Sequence, residues 1–150
     1  MKRRELVFLL AGVLTSVPAL TRSQTSNRKR VGILMGADLP PLETFRQALR
    51  ELGYRDGENV SFFNRFAGQS EQNYARLAAD LVANDIDLIV TWGTPATLAA
   101  KRATPTIPIV MAAIGDPVGI GAVASLARPG GNITGLSTLN TELETSGWKS

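Results

Sequence analysis

The chain has no cysteine and no histidine. Those absences remove disulfides, thiolate nucleophiles, imidazole metal ligands and every catalytic triad built on histidine. Carboxylate chemistry would need two acids held close together, and the sequence carries no tight carboxylate pair. Past the first two dozen residues, no stretch is long and apolar enough for a membrane span. A basic stripe is also missing, although the formal net charge is +3. Four of the 16 Lys and Arg residues (Lys2, Arg3, Arg4, Arg22) and one of the 13 acids (Glu5) precede Gln24, which leaves 12 of each sign from there on. A nucleic-acid binder normally shows a basic face. Here Arg28, Lys29 and Arg30 form the single cluster, and beside the polar residues 23–27 they read as a solvated tail over residues 24–30. No nucleic-acid partner is expected.

What is present begins with an export signal. Lys2, Arg3 and Arg4 make a basic start, residues 6–14 a short apolar segment, Pro18 a break, and Thr21 and Ser23 the small residues a signal peptidase reads. A cleavable signal peptide over residues 1–23 is expected, with a periplasmic mature protein. The Arg3-Arg4 pair leaves the general secretory and the twin-arginine routes both open. With no cysteine after the apolar segment, a lipid anchor on an N-terminal cysteine is excluded. About 127 residues remain, enough for one small domain with its own core.

The hydrophobic pattern then alternates strand and helix. Strands are expected over residues 31–35, 60–66, 87–91, 109–113 and 133–137. Helices are expected over 42–52, with Leu42, Phe45, Leu49 and Leu52 on one face and Gly53 as its stop, and from a Ser70 cap to about Asn84, with Tyr74, Leu77, Ala78 and Leu81 inward. A third runs from Pro95 to about Arg102, and a short fourth over 118–126. Five strands joined by four helices imply an α/β, doubly wound parallel sheet, here in the flavodoxin-like order 2-1-3-4-5. The lobe is placed at residues 31–135.

Ligands on such sheets bind at the carboxyl ends of the strands, near the switch in strand order. Three loops meet there. Gly93, Thr94, Pro95 and Ala96 put Thr94 at a helix N-cap and Pro95 at the first helical position, so the freed N–H groups suit a carboxylate. Ordinary capping needs the same residues. Asp116 either caps the helix from Val118 or faces the cleft to pair with a ligand ammonium. Gly36, Ala37 and Asp38 follow the first strand, the small residues keeping the cleft open and Asp38 capping the helix near Pro41. Trp92 is either a stacking ring or a rim aromatic packed on its neighbours. Gly119, Gly121 and Ala124 fit the dinucleotide fingerprint G-x-G-x-x-A, but Asp116 and Pro117 already occupy the strand-to-helix turn where its first glycine belongs. Neither a cofactor nor a metal is called for.

The ordered set Gly32-Ile-Leu, Phe45-Arg-Gln-Ala-Leu49 with Leu52-Gly-Tyr54, Gly57-Glu-Asn-Val60, Leu77-Ala-Ala-Asp-Leu-Val82, Gly93-Thr-Pro-Ala96, Thr106-Ile-Pro-Ile-Val110, Gly115-Asp-Pro-Val118 and Ser125-Leu-Ala-Arg-Pro-Gly-Gly-Asn-Ile-Thr-Gly135 resembles the ABC-transporter substrate-binding proteins of the tryptophan/tyrosine-binding type, over about residues 30–143. That resemblance implies a type I periplasmic binding protein, in which two α/β lobes close on a small-molecule ligand. The ligand is an amino acid in the named members, handed to an ABC permease in the inner membrane without catalysis. It places the carboxylate-binding loop on Gly93 to Ala96 and turns the Asp116 loop to the cleft. Thr141-Glu-Leu143 continue the pattern, whereas Gly147 and the lack of an apolar stripe depart from it. Residues 136–150 therefore read as the start of a crossover to a missing second lobe, in a truncated product. Two other readings of the α/β pattern, a nucleotide-binding enzyme and an effector-sensing domain, lack a well-placed glycine motif and a DNA-binding headpiece respectively.

Overall fold

The computed structural model describes residues 28–137. The expected signal peptide, most of the expected tail and the stretch past β5 lie outside them. Five strands, β1 (Lys29–Met35), β2 (Val60–Phe66), β3 (Leu88–Trp92), β4 (Ile109–Ile114) and β5 (Ile133–Ser137), form one sheet in the order β2-β1-β3-β4-β5. Every pairing is parallel. This is the expected doubly wound α/β arrangement. Three helices join the first four strands: α1 (Pro40–Glu51), α2 (Glu71–Ala83) and α3 (Thr94–Ala103).

Alternation along the strands sorts the core into two layers. Leu34, Ile89, Ile109, Met111 and Ile133 point to the side of α2 and α3 and pack with Ala78, Leu81, Ala96 and Ala100. Val31, Ile33, Met35, Val60 and Val90 point the other way and pack with Leu42 of α1. The α2 side is the thicker of the two. Tyr74, Ala78 and Leu81 are buried there as the helical spacing predicts, and the Ser70 hydroxyl accepts the Asn73 N–H at 3.4 Å to cap the helix. Alanines at 96, 99 and 100 let α3 sit close to the sheet.

Three expectations need correction. The basic cluster is no solvated tail from Lys29 onward: β1 begins there, two residues early. Lys29 and Arg30 pair with Val60 and Ser61. The Arg30 N–H donates to Asp87 Oδ2 at 2.8 Å, and its guanidinium lies 4.9 Å from the Phe63 ring centre. Cross-strand partners thus outweigh the charge run. Second, Leu52 is not on the buried face of α1; it is the C-cap, 74% exposed, because the chain has already turned toward Gly53. Third, residues 118–126 form no helix. Turns of different size follow one another, with the Ile120 N–H on the Asp116 carbonyl, that of Gly121 on Val118 and that of Ala122 on Pro117. Gly121, at φ +71°, breaks the right-handed run. Ala122 and Val123 are still buried, so the segment covers the sheet without being helical.

Candidate ligand-binding site

The parallel sheet sends the carboxyl ends of β1, β3 and β4 to one edge, with β3 between the other two. The expected site residues Gly36, Ala37, Asp38, Gly93, Thr94, Pro95, Ala96 and Asp116 all follow those ends. The structure brings their loops to one rim but does not give the eight residues one role.

The turn out of β3 is the best defined. Gly93 still belongs to the ladder, its N–H donating to the Ala112 carbonyl at 3.0 Å, and the chain must enter α3 at the next residue. It does so with Gly93 at φ +86° and ψ 166°, a conformation that only glycine holds without strain. The expected cap at Thr94 is therefore corrected. Gly93 is the N-cap, Thr94 and Pro95 are the first helical residues, and no side chain caps the helix. Pro95 has no N–H, and the Thr97 N–H is taken by the Gly93 carbonyl at 3.2 Å. Thr94 and Ala96 keep backbone N–H groups that have no intrahelical acceptor by position. An anion at this edge meets the positive end of the α3 dipole. Ala96 is fully buried, backbone included, so the half-buried Thr94 offers the N–H that a ligand can reach at this edge.

A buried hydroxyl relay holds this turn in place. Thr97 Oγ1 donates to the Gly93 carbonyl at 3.1 Å, which uses its one proton. Thr91 Oγ1, 2.7 Å from Thr97 Oγ1, must then donate to it. Both threonines are fully buried. Their helical and strand spacing gave no hint of a pair, because six residues of sequence separate a strand residue from a helix residue.

On the β1 loop, α1 starts at Pro40 with Leu39 as N-cap and no side-chain cap bond. Asp38 stands too early to cap it, contrary to expectation, and its exposed carboxylate takes no hydrogen bond among the described residues. Gly36 is small for contact as well as for openness: a Cβ there would stand 2.9 Å from the Tyr74 hydroxyl. On the β4 loop, Asp116 is exposed and its Oδ1 accepts the Gly119 N–H at 2.8 Å. With no helix there to cap, this bond closes a turn, and Oδ2 takes no hydrogen bond among the described residues. Just before it, Ala113 sits at φ +55° where the pairing of β4 with β5 slips between Met111 and Ile114. Such bulges re-aim the residues that follow a strand. Trp92 is half buried and packs in the α1-side layer with Phe45 and Val110, which matches the packed rim aromatic.

A fourth loop was not among those expected. The Ala67 and Gly68 N–H groups donate to the Met35 and Gly36 carbonyls at 2.9 and 2.8 Å, binding the β2 loop to the β1 loop. Gly68, Gln69 and Tyr74 share with Thr94, Pro95 and Leu98 a cavity of about 300 Å³ between the starts of α2 and α3. Asp116, Asp38 and Ala37 do not line it. The signal was available, since β2 ends at the same edge, beside β1.

With this geometry in hand, the comparison with known proteins is direct. The family described as ABC transporter substrate binding protein matches residues 39–145. The chain belongs to that family. A tyrosine-binding protein of Clostridioides difficile is 36% identical over 120 residues, covering 77% of this chain and 35% of the relative. The ABC domain of Streptococcus pneumoniae in complex with L-Trp aligns with a TM-score of 0.68 at 35% identity, covering 73% of this chain and 38% of that one. A conserved domain protein of Vibrio cholerae aligns with a TM-score of 0.69 at 36% identity, covering 74% and 39%. The chain thus spans little more than a third of the length of these relatives. The glycine run Gly119, Gly121, Ala124 has no dinucleotide context in this chain, since no helix follows it among the described residues.

Proposed function

We propose that this lobe is the amino-terminal wall of an extracytoplasmic solute-binding component of an ABC uptake system, with an amino acid as ligand. The Thr94 N–H and the positive end of the α3 dipole would receive the ligand carboxylate, and Asp116 Oδ2 the ammonium. Asp38, exposed at the same edge, is the second carboxylate available to a cation. One observation carries this reading: an uncapped helix N-terminus and an exposed carboxylate follow adjacent parallel strands at the edge where such sheets bind ligands. The tyrosine and tryptophan named for two relatives favour an aromatic side chain. A signal peptide over residues 1–23 would deliver the protein to the periplasm, and an ABC permease would receive the ligand.

A single wall cannot bury a ligand as a cleft does. An exposed helix terminus contributes about 0.3–1 kcal/mol to a charged group, against the roughly 8 kcal/mol of a micromolar complex. We therefore expect the 150-residue chain to bind tryptophan, tyrosine or phenylalanine more weakly than micromolar in calorimetric titration. Fused to the unmatched carboxyl-terminal part of the Streptococcus pneumoniae relative, it should gain measurable affinity and lose it with Asp116→Ala. Tight binding by the lone monomer, or a fusion indifferent to Asp116→Ala, would refute the assignment.

A further inference from the structure

Tyr74 is a core residue with a hydroxyl that the core does not use. The residue is 7% exposed and belongs to the α2-side layer. Its hydroxyl takes no hydrogen bond among the described residues. Buried tyrosines usually satisfy that group, and a phenylalanine would fill the same space with no polar atom to place. Gly36 marks where the hydroxyl lies. A Cβ there would stand 2.9 Å from the Tyr74 oxygen and 3.4 Å from the Gly68 carbonyl oxygen. The tip of the ring thus reaches the carboxyl edge of the sheet, at the two loops that the Ala67 and Gly68 N–H groups bind together. Gly36 has no side chain because the hydroxyl needs the room.

Tyr74 and Gly68 also line the cavity of about 300 Å³ whose other bank is Thr94, Pro95 and Leu98 of α3. Its two charged residues offset each other, since Glu71 stands 3.9 Å from Arg102. What remains is the field of two helix starts, α2 at Glu71 and α3 at Thr94. Their positive ends favour an anion. A group that meets the Thr94 N–H and also faces the hydroxyl is therefore an acceptor, and the hydroxyl donates to it. We infer that Tyr74 contacts the ligand: its hydroxyl donates to one oxygen of the ligand carboxylate while the Thr94 N–H donates to the other. This rests on the function proposed above and adds a second donor where α3 offers one reachable N–H. A carboxylate leaves water at low cost only when its oxygens find new partners. The ligand class is then a free carboxylate, and an amine with the same side chain is rejected.

The test uses the 150-residue chain by itself. It contains two tyrosines, Tyr54 and Tyr74, so isotope-labelled tyrosine gives two ring environments in an NMR spectrum, and Tyr54→Phe assigns them. Tyr54 lies just past the C-cap of α1, away from the carboxyl edge, and is the internal control. Phenylalanine and hydrocinnamate, titrated through the millimolar range, should move the Tyr74 signal and the Thr94 amide with one dissociation constant and leave Tyr54 still. Phenethylamine keeps the ring and the ammonium but has no carboxylate, and should move neither. Tyr74→Phe should weaken phenylalanine binding roughly threefold to tenfold at the Thr94 amide, the worth of one hydrogen bond in a partly wet site. It should leave the urea midpoint unchanged, since the lost hydroxyl has no partner in the protein. Movement of Thr94 without Tyr74, or an unchanged constant in Tyr74→Phe, overturns the inference, makes water the partner of the hydroxyl and leaves the carboxylate role of α3 standing. A fall in the urea midpoint, or a response to phenethylamine as large as to phenylalanine, overturns it as well. If neither signal moves with either carboxylate, the inference and the carboxylate role of α3 fall together.

Discussion

Thr91 and Thr97 show how one residue pair can set the shape of a binding edge. Their hydroxyls lie in the core yet serve the loop, since the relay ends on the Gly93 carbonyl. Thr97→Val would leave the buried Thr91 hydroxyl without an acceptor, at a cost of about 1–3 kcal/mol. The double variant Thr91→Val with Thr97→Val removes both polar groups and should be closer to neutral. Urea unfolding of the four species in a double-mutant cycle measures this, and additive losses would mean that the hydroxyls act independently. Gly93→Ala is the companion experiment. An added Cβ has room, with the Pro95 Cδ 4.0 Å away, so the whole penalty comes from φ +86°. We expect about 1–3 kcal/mol of destabilisation by the same measurement, together with loss of ligand affinity in the fused protein if the start of α3 binds the carboxylate.

At the level of elements, the sequence was most legible where burial and periodicity agree. Strand β2 lies where its β-forming residues put it, and the inner face of α2 where i, i+4 spacing puts it, because Tyr74, Ala78 and Leu81 bury together. It was least legible where a single backbone torsion decides. The cap of α3 moved from Thr94 to Gly93, and Gly121 dissolved the helix expected over 118–126. Both glycines were visible, but the hydrophobic pattern does not say which side of zero φ takes. The start of β1 was misread for another reason: the partners of Lys29 and Arg30 come from β2 and from Asp87, far along the chain. On α1 the charges are local. Arg50 donates to Glu43 Oε1 at 2.8 Å, and this hydrogen bond, with the charges of Arg50 and Arg46, holds the Glu43 carboxyl below its ordinary value. A depressed folded pKa means that the stabilising contribution is present at neutral pH and fades as pH falls through that value. Glu43 is fully exposed, so the effect on stability is small. An NMR titration should find the Glu43 carboxyl titrating below other glutamates, and Arg50→Gln should bring it back.

For the molecule as a whole, the match to little more than a third of each relative separates two questions that are easily merged. The fold of the lobe rests on its own two core layers. Ligand capture, on the function proposed above, needs a facing surface that the described residues do not provide. A folded lobe with no measurable affinity for an amino acid is thus the expected state of this chain alone, and affinity should appear with the fusion described above.

The strand order has a further consequence, for the timing of folding. Strand β1 lies inside the sheet, and its second neighbour pairs through Val31 and Leu88, far apart in sequence. The centre of the sheet therefore cannot close until more than half of the lobe has been synthesised. Non-local closure of this kind slows folding relative to helical proteins of the same size.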